Sequence, residues 1–157
     1  MHIKIWNILK LGALLALIWV PLFVAAQSEA IGTVKTVNGE AWITTAGQRV
    51  KAQAGTALFL GSQLKTAKNA SMGVTFKDNT LMSFGPDTEL TVDEYLFAPN
   101  EGKLKLGARI DKGSLNYVSG IIAKLKPDAV NVKTPTGTIG VRGTQFLVKV
   151  EDTATVQ

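Results

Sequence analysis

The chain has 157 residues, a formal net charge of +5, no cysteine and a single histidine, His2. Without cysteine it has no disulfides, no thiolate nucleophile and no lipid attached at a cysteine. Because the histidine stands at position 2, the rest of the chain lacks the ligands of the usual zinc sites and the base of Ser-His-Asp catalysis. We therefore predict a protein that is not an enzyme and that uses no cofactor and no metal.

Residues 1–26 have the layout of a secretory signal peptide. Two early lysines precede an uncharged apolar run at 11–24, and Ala26 ends a small-residue cleavage site directly before Gln27. As a helix this run of 14 residues would cover only ~21 Å of a hydrocarbon core ~30 Å thick. We expect cleavage after Ala26 and export to the periplasm or out of the cell. The alternative is an uncleaved anchor in the inner membrane, with the rest of the chain facing the periplasm and no other contact with a membrane.

The remaining residues are sufficient for one domain. Cleavage would leave 157 − 26 = 131 residues with 15 basic and 12 acidic side chains, a net charge of +3. The basic residues are spread along the chain, so nucleic-acid binding is not indicated. We interpret residues 27–32 as a short solvated leader and residues 33–157 as the folded domain.

Short apolar segments alternate with turn residues about every ten residues, which is typical of an all-β domain. Asn38-Gly39 predicts a hairpin between a first strand at 34–37 and a return strand at 40–44. Ala46-Gly47 predicts the next turn. A further hairpin is predicted around Lys77-Asp78-Asn79, because apolar and polar residues alternate on both sides of it, the apolar ones being Met72, Val74, Phe76, Met82 and Phe84.

The most regular alternation lies at 103–111, where apolar residues face one way and mostly charged residues the other. The apolar set is Leu104, Leu106, Ala108 and Ile110. Lys112-Gly113 predicts a turn before a strand at 115–118, and residues 120–126 allow one helical turn that Pro127 ends. The fold predicted is all-β: a single domain of short strands in a twisted solenoid-like or a sandwich-like sheet.

Residues 130–150 combine two strand patterns with a segment rich in glycine. Alternating apolar residues begin at Val130 and again at Phe146, and between them stand Pro135, Gly137, Gly140 and Gly143. Glycines in a β context mark corners, bulges or close backbone approaches. We interpret them as corner residues. The alternative is an anion-binding loop, but the spacing fits no phosphate-loop pattern and no helix follows.

Arg142 stands in the same segment among Ile139, Val141 and Phe146, where a buried guanidinium would be costly unless its donors were satisfied. One interpretation is that it binds open carbonyls or a carboxylate and so stabilises the corner. An Arg142→Lys exchange should then destabilise the whole domain. The other interpretation is that Arg142 receives an anionic or peptide ligand.

The run VKTPTGTIGVRGTQF at 132–146 resembles the signature of the FecR domain, the periplasmic module of iron-siderophore signalling regulators. The family pattern is roughly V-x-T-P-x-[AG]-x-x-x-V-R-G-T-x-F. Every fixed position is met in this chain, at Val132, Thr134, Pro135, Gly137, Val141, Arg142, Gly143, Thr144 and Phe146. The resemblance implies a twisted solenoid-like β-domain in which these residues are mainly structural.

The resemblance also implies a non-enzymatic binding or signalling module that contacts another envelope protein, through a strand or a surface. In the regulators, this domain passes the state of an outer-membrane transporter to a cytoplasmic sigma-binding domain. Only ~10 residues precede the apolar run here, too few for a folded domain, so we expect no direct sigma-factor binding. Family members usually continue beyond the last strand, so we expect the domain to be short or truncated at its C-terminus.

The alternative function is a structural module associated with the cell surface, a polysaccharide or peptidoglycan. Its contacts would be the basic strand face of Lys103, Lys105 and Arg109 and a sugar platform of aromatic residues: Trp42, Tyr95, Phe97 and Tyr117. Carboxylate catalysis is not expected, because Asp93 and Glu94 are adjacent on a predicted strand and would point to opposite faces.

Overall fold

The computed structural model describes residues 28–151, so the expected signal peptide with its cleavage site at Ala26 and Gln27, and residues 152–157, lie outside the described range. Residues 28–151 form twelve strands and one α-helix. In chain order these are β1 (Gly32–Asn38), β2 (Ala41–Thr45), β3 (Gln48–Lys51), β4 (Ala57–Leu58), β5 (Gln63–Thr66), β6 (Ser71–Phe76), β7 (Leu81–Phe84), β8 (Glu89–Ala98), β9 (Lys103–Val118), α1 (Ile121–Leu125), β10 (Val130–Thr134), β11 (Gly137–Gly140) and β12 (Gln145–Val150).

β9 organises the sheet because it is 16 residues long and pairs with four other strands. Its first half pairs with antiparallel β8 and with parallel β10, so that Ala108 lies between Val92 and Val132. Its second half pairs with β7 and β12. From β9 the sheet continues through β8, β5 and β2 to β3, and in the other direction through β7, β6 and β1 to β4. The strands form one curled sheet with the shape of a half-barrel, and the all-β prediction is confirmed.

The hydrophobic core lies where the alternating apolar residues of both directions meet. The apolar residues predicted for the hairpin at 71–84 are all exposed by 2 % or less. Leu106, Ala108 and Ile110 of β9 are equally buried, and Leu104 packs at the margin. The period of two therefore identified the inward face of these strands correctly.

β9 bends at Gly113 and does not end there, so the turn predicted at Lys112-Gly113 is wrong. Gly113 has a φ of +93°, and a Cβ at this position would lie 2.4 Å from the Cα of Thr88. The Thr88 hydroxyl accepts a hydrogen bond from the backbone N–H of Ser114 at 3.0 Å. The glycine permits a close approach of two segments, and the strand continues through it.

The hairpin predicted at Asn38-Gly39 does not form. β1 pairs with β4 and β6, whereas β2 pairs with β3 and β5. β1 and β2 do not pair with each other because each buries its apolar residues against a different strand. Val34 of β1 lies opposite Val74, and Ile43 of β2 lies opposite Leu64. Gly39, with a φ of +77°, carries the chain from one half of the sheet to the other.

Three other local predictions are confirmed. Ala46-Gly47 closes the β2–β3 hairpin, and Lys77-Asp78-Asn79 closes the β6–β7 hairpin. The helical turn expected at 120–126 is α1, and Pro127 follows its end. Among residues 28–151, no helix has the length and apolarity that crossing a membrane requires.

Candidate functional site: a groove between two strand edges

The segment expected to be a corner contains a strand of its own. β11 runs antiparallel to β10, with Thr134 opposite Gly137 and Asn131 opposite Gly140. Gly137 and Gly140 are thus strand residues with open space where a Cβ would be. Of the three glycines, Gly143 alone has a positive φ, +135°. The corner interpretation was wrong for Gly140, which lies in β11, whereas Gly137 begins β11 directly after the hairpin turn.

Three apolar signature residues attach this segment to the core. Val132 of β10 and Val141 are buried. Phe146 of β12 stacks on the ring of Tyr117, with 4.8 Å between the ring centroids. Burial raises the pKa of the Tyr117 hydroxyl above the ordinary value of 10.0. These contacts hold β10 and β12 on opposite halves of β9.

Thr134, Pro135 and Gly137 build the tip of the β10–β11 hairpin. The Thr134 hydroxyl accepts a hydrogen bond from the Gly137 N–H and donates one to the Gly137 carbonyl, both at 3.1 Å. Pro135 fixes its own φ between them. The signature thus gives the hairpin a rigid tip.

Arg142, Gly143 and Thr144 form the loop that joins β11 to β12. Ser119, just after β9, binds this loop twice: its hydroxyl donates to the Gly143 carbonyl at 2.7 Å and its N–H donates to the Thr144 carbonyl at 2.8 Å. The carbonyls that a corner leaves open are therefore bonded by Ser119.

Arg142 itself points to solvent. Its side chain is 86 % exposed and lies 3.7 Å from the carboxylate of Asp128, which is 82 % exposed. Val141 takes the inward position next to it, so the expected burial of the guanidinium is not found. An ion pair this exposed contributes about 0–1 kcal/mol to stability. Most of the donors on Arg142 remain available to a ligand.

A groove with a volume of about 520 Å³ lies between the β10–β11 hairpin and β12. Residues 134–139 form one wall and residues 148–151 the other. The lining consists of backbone, threonine hydroxyls and aliphatic side chains, with one charged pair, Lys149 and Glu151, 3.5 Å apart. Such a lining offers hydrogen bonds and apolar contacts, so it is suited to binding.

Both walls of the groove are edges of the sheet. In the part of the chain that the structure describes, β11 pairs only with β10, and β12 pairs only with β9. Each strand therefore presents backbone N–H and C=O groups along one free edge. β11 has no charged residue and β12 has one, Lys149, whereas the edge strand β3 carries Arg49 and Lys51. Charged side chains discourage strand pairing, and the uncharged edge strand β4 has only two residues, so β11 and β12 are the receptive edges.

Residues 28–151 contain no assembled sugar platform of aromatic residues and no assembled metal site. The four aromatic residues are not brought together, since Tyr117 is buried, Tyr95 and Phe97 pack against the core, and Trp42 lies on the outer face of β2. No group of three or more histidine, cysteine or acidic side chains in this range is placed to hold a metal ion.

The signature was visible in the sequence, but the groove was not. β11 is only four residues long and two of them are glycines, so it shows no alternation of apolar and polar residues from which a strand could be predicted. The second wall depends on β12 pairing with the part of β9 beyond the bend at Gly113. No local pattern predicts that pairing.

Together these features define an all-β domain with a groove between two receptive strand edges. A scan against protein-family models matches the family described as FecR protein over residues 62–157, which is more than half of the chain and includes both walls of the groove. The chain belongs to the FecR family, a regulatory family associated with signalling. A search of curated proteins gave no significant match, and neither did a search of solved structures.

Proposed function

We propose that this protein is a signalling-related binding module of the cell envelope, which receives an extended segment of another envelope protein in the groove between β11 and β12. The observation that carries the proposal is the pair of receptive edges on either side of that groove. Membership of the FecR family supports the signalling role. The proposed partner is a protein, and neither a nucleic acid nor a sigma factor is bound directly.

Strand addition is the mode of binding that fits these edges. An incoming strand would form backbone hydrogen bonds with β11 or β12 and place alternate side chains in the groove and on the outer face. On that outer face Leu147 is 73 % exposed and offers an apolar contact. A segment paired with β11 would end beside Arg142, which stands two residues after that strand. Arg142 would then form an ion pair with an acidic side chain of the partner.

Photocrosslinking in cells tests the proposal. A photoreactive amino acid is placed at Thr138 in β11, at Leu147 in β12 or, as the control, at Leu60, which is 53 % exposed and lies away from the groove. We expect one adduct of the same mass from positions 138 and 147 and none from position 60.

Charge variants then connect the adduct to the strand edges. Thr138→Lys and Leu147→Lys should each abolish adduct formation at the other position, whereas Leu60→Lys should leave it unchanged. Adducts that persist in both of these strand-edge variants would contradict strand addition. Sedimentation of the protein with cell-wall sacculi, without any protein adduct, would instead support the surface-associated alternative.

The proposal includes export by the N-terminal segment, which supports contact with an envelope partner. Cleavage after Ala26 would give a mature chain that begins at Gln27. The intact mass of the protein recovered from the periplasm or the medium measures this directly. Retention of residues 1–26, together with fractionation into membranes, would support the anchored alternative.

A further inference from the structure

Cations surround Trp42 on the outer face of the sheet. The residues on either side of Trp42 point into the core, so Trp42 itself points outward. The strand register places Lys51 of β3 and Lys65 of β5 directly beside it, one on each side. The guanidinium of Arg49 lies over the indole, with its central carbon 4.3 Å from the ring centroid. We call Trp42, Arg49, Lys51 and Lys65 the cationic cluster.

Arg49 is held in place without an acidic partner among the residues that the structure describes. Its contact with Trp42 is a cation–π interaction, which restricts the side chain but leaves its N–H donors unbound. A guanidinium of this kind is preorganised for a carboxylate, which it can bind through two parallel hydrogen bonds.

The two lysines of the cluster are only partly neutralised. Lys51 is 3.9 Å from Glu40, and both side chains are more than 60 % exposed. Lys65 is 2.5 Å from Glu89, a carboxylate that also lies 3.5 Å from Lys112. The cluster therefore retains an excess of positive charge.

The basic residues singled out in the sequence are, by contrast, matched by acids. Lys103 pairs with Glu101 at 2.7 Å, Lys105 with Glu94 at 3.0 Å and Arg109 with Asp111 at 3.4 Å. The opposite half of the sheet differs again, since β1, β6, β7, β12 and residues 113–118 of β9 carry only two charged residues, Lys35 and Lys149. Of these three surfaces, the cationic cluster carries the largest excess of positive charge.

Uncharged polar groups lie beside the cluster on the same face. Thr44, Gln63 and Thr91 occupy one row across β2, β5 and β8. Their hydroxyl and amide groups can donate and accept hydrogen bonds. They extend the surface across the strands, next to the cations.

We propose that this face binds an acidic polysaccharide, with the cationic cluster receiving its carboxylates and the row of Thr44, Gln63 and Thr91 its hydroxyl groups. Strand pairing with a polypeptide is disfavoured here, because both edges of β2 are occupied by β3 and β5. The free edge of β3 carries Arg49 and Lys51, and such charges discourage strand pairing. A nucleic acid would need a larger unpaired basic surface than three cations supply. This surface and the β11–β12 groove are separate sites.

The test is the affinity of the purified mature chain for polygalacturonate, a polymer of uronic acids, with dextran as the neutral control. We expect binding to polygalacturonate that weakens as salt is added, and no binding to dextran. The double variant Arg49→Gln/Lys51→Gln should lose about tenfold or more in affinity, since about 1.4 kcal/mol corresponds to one factor of ten. Both side chains are exposed, so the variant should retain its Tm.

The matched control removes the same charge elsewhere. Lys124→Gln/Lys126→Gln, on exposed residues in and after α1, should change the affinity less than twofold. Equal losses of affinity in the two double variants would show that binding depends only on net charge, and this would overturn the proposal. Equal affinity for polyglutamate would overturn it in favour of an acidic polypeptide. Leu147→Lys should leave polygalacturonate binding intact, which separates this test from the test of the groove.

Discussion

The carboxylate of Asp78 accepts a hydrogen bond from the backbone N–H of Ile122 at 3.2 Å, although 44 residues separate the two in the chain. Asp78 lies in the β6–β7 turn and is fully buried, and Ile122 lies in the first turn of α1. The residue before the helix, Gly120, has no side chain that could cap it. Asp78 therefore caps α1 from another part of the fold and fixes the helix against the sheet.

Asp78→Asn should destabilise the protein by about 1–3 kcal/mol. One carboxylate oxygen accepts from the hydroxyl of Thr80 at 2.7 Å and from Ile122, and the other accepts from the hydroxyl of Tyr95 at 3.2 Å. An amide in either orientation would turn its NH₂ group toward one of these donors. Urea unfolding measures the change, with the exposed Asp87→Asn as the control. Equal stability of the two variants would contradict the capping role.

The two tyrosines should titrate abnormally in the native protein. Burial raises the pKa of both Tyr95 and Tyr117 above 10.0, and for Tyr95 the charge of Asp78 adds to the effect. Phenolate absorbance in the native protein should therefore appear at higher pH than in the urea-unfolded chain. Coincident titration curves would show that the hydroxyls are accessible to solvent.

The same shift has a consequence for stability. The unfolded state loses its tyrosine protons first, so it binds fewer protons than the native state once the pH exceeds about 10. The tyrosine contribution to the free energy of unfolding is complete below that pH and decreases as the pH rises toward the native pKa values. Tyr95→Phe should reduce this dependence between pH 9 and 11, values chosen to bracket the ordinary tyrosine pKa of about 10.

Gly113→Ala should be strongly destabilising, by about 2 kcal/mol or more. The added methyl would lie 2.4 Å from the Cα of Thr88, at a φ of +93° that alanine adopts poorly. Gly137→Ala is the control, because a methyl group added to this signature glycine would have no other atom within 4 Å. Its Tm should change little. A larger loss at Gly137 than at Gly113 would refute the account of the bend.

Arg142→Lys should leave the stability of the domain nearly unchanged. The exposed pair with Asp128 contributes little, so we expect a change in Tm of no more than about 2 °C. The formation of the groove adduct should nevertheless fall, because an ammonium does not reproduce the planar set of guanidinium donors. Thermal unfolding and photocrosslinking of the same variant provide the two measurements. A large drop in Tm would restore the structural role that the sequence suggested for Arg142.

The sequence predicted most of what depends on neighbours in the chain. Alternation gave the inward faces of the 71–84 hairpin and of β9, because side chains on a strand alternate whatever the strand pairs with. Turn residues gave the β2–β3 and β6–β7 hairpins for the same local reason. The predictions at Asn38-Gly39 and Lys112-Gly113 were wrong because glycine permits a reversal, a crossing or a bend equally well.

The sequence by itself thus determined the all-β class, the inward faces of the main strands and the family signature at 132–146. Only the tertiary structure decided which strands are neighbours, and with that the groove and the cationic cluster. Lys51 and Lys65 flank Trp42, and β12 lies beside the far half of β9, through pairings between distant segments. Such pairings are set by burial across the whole sheet, which no local pattern of residues records.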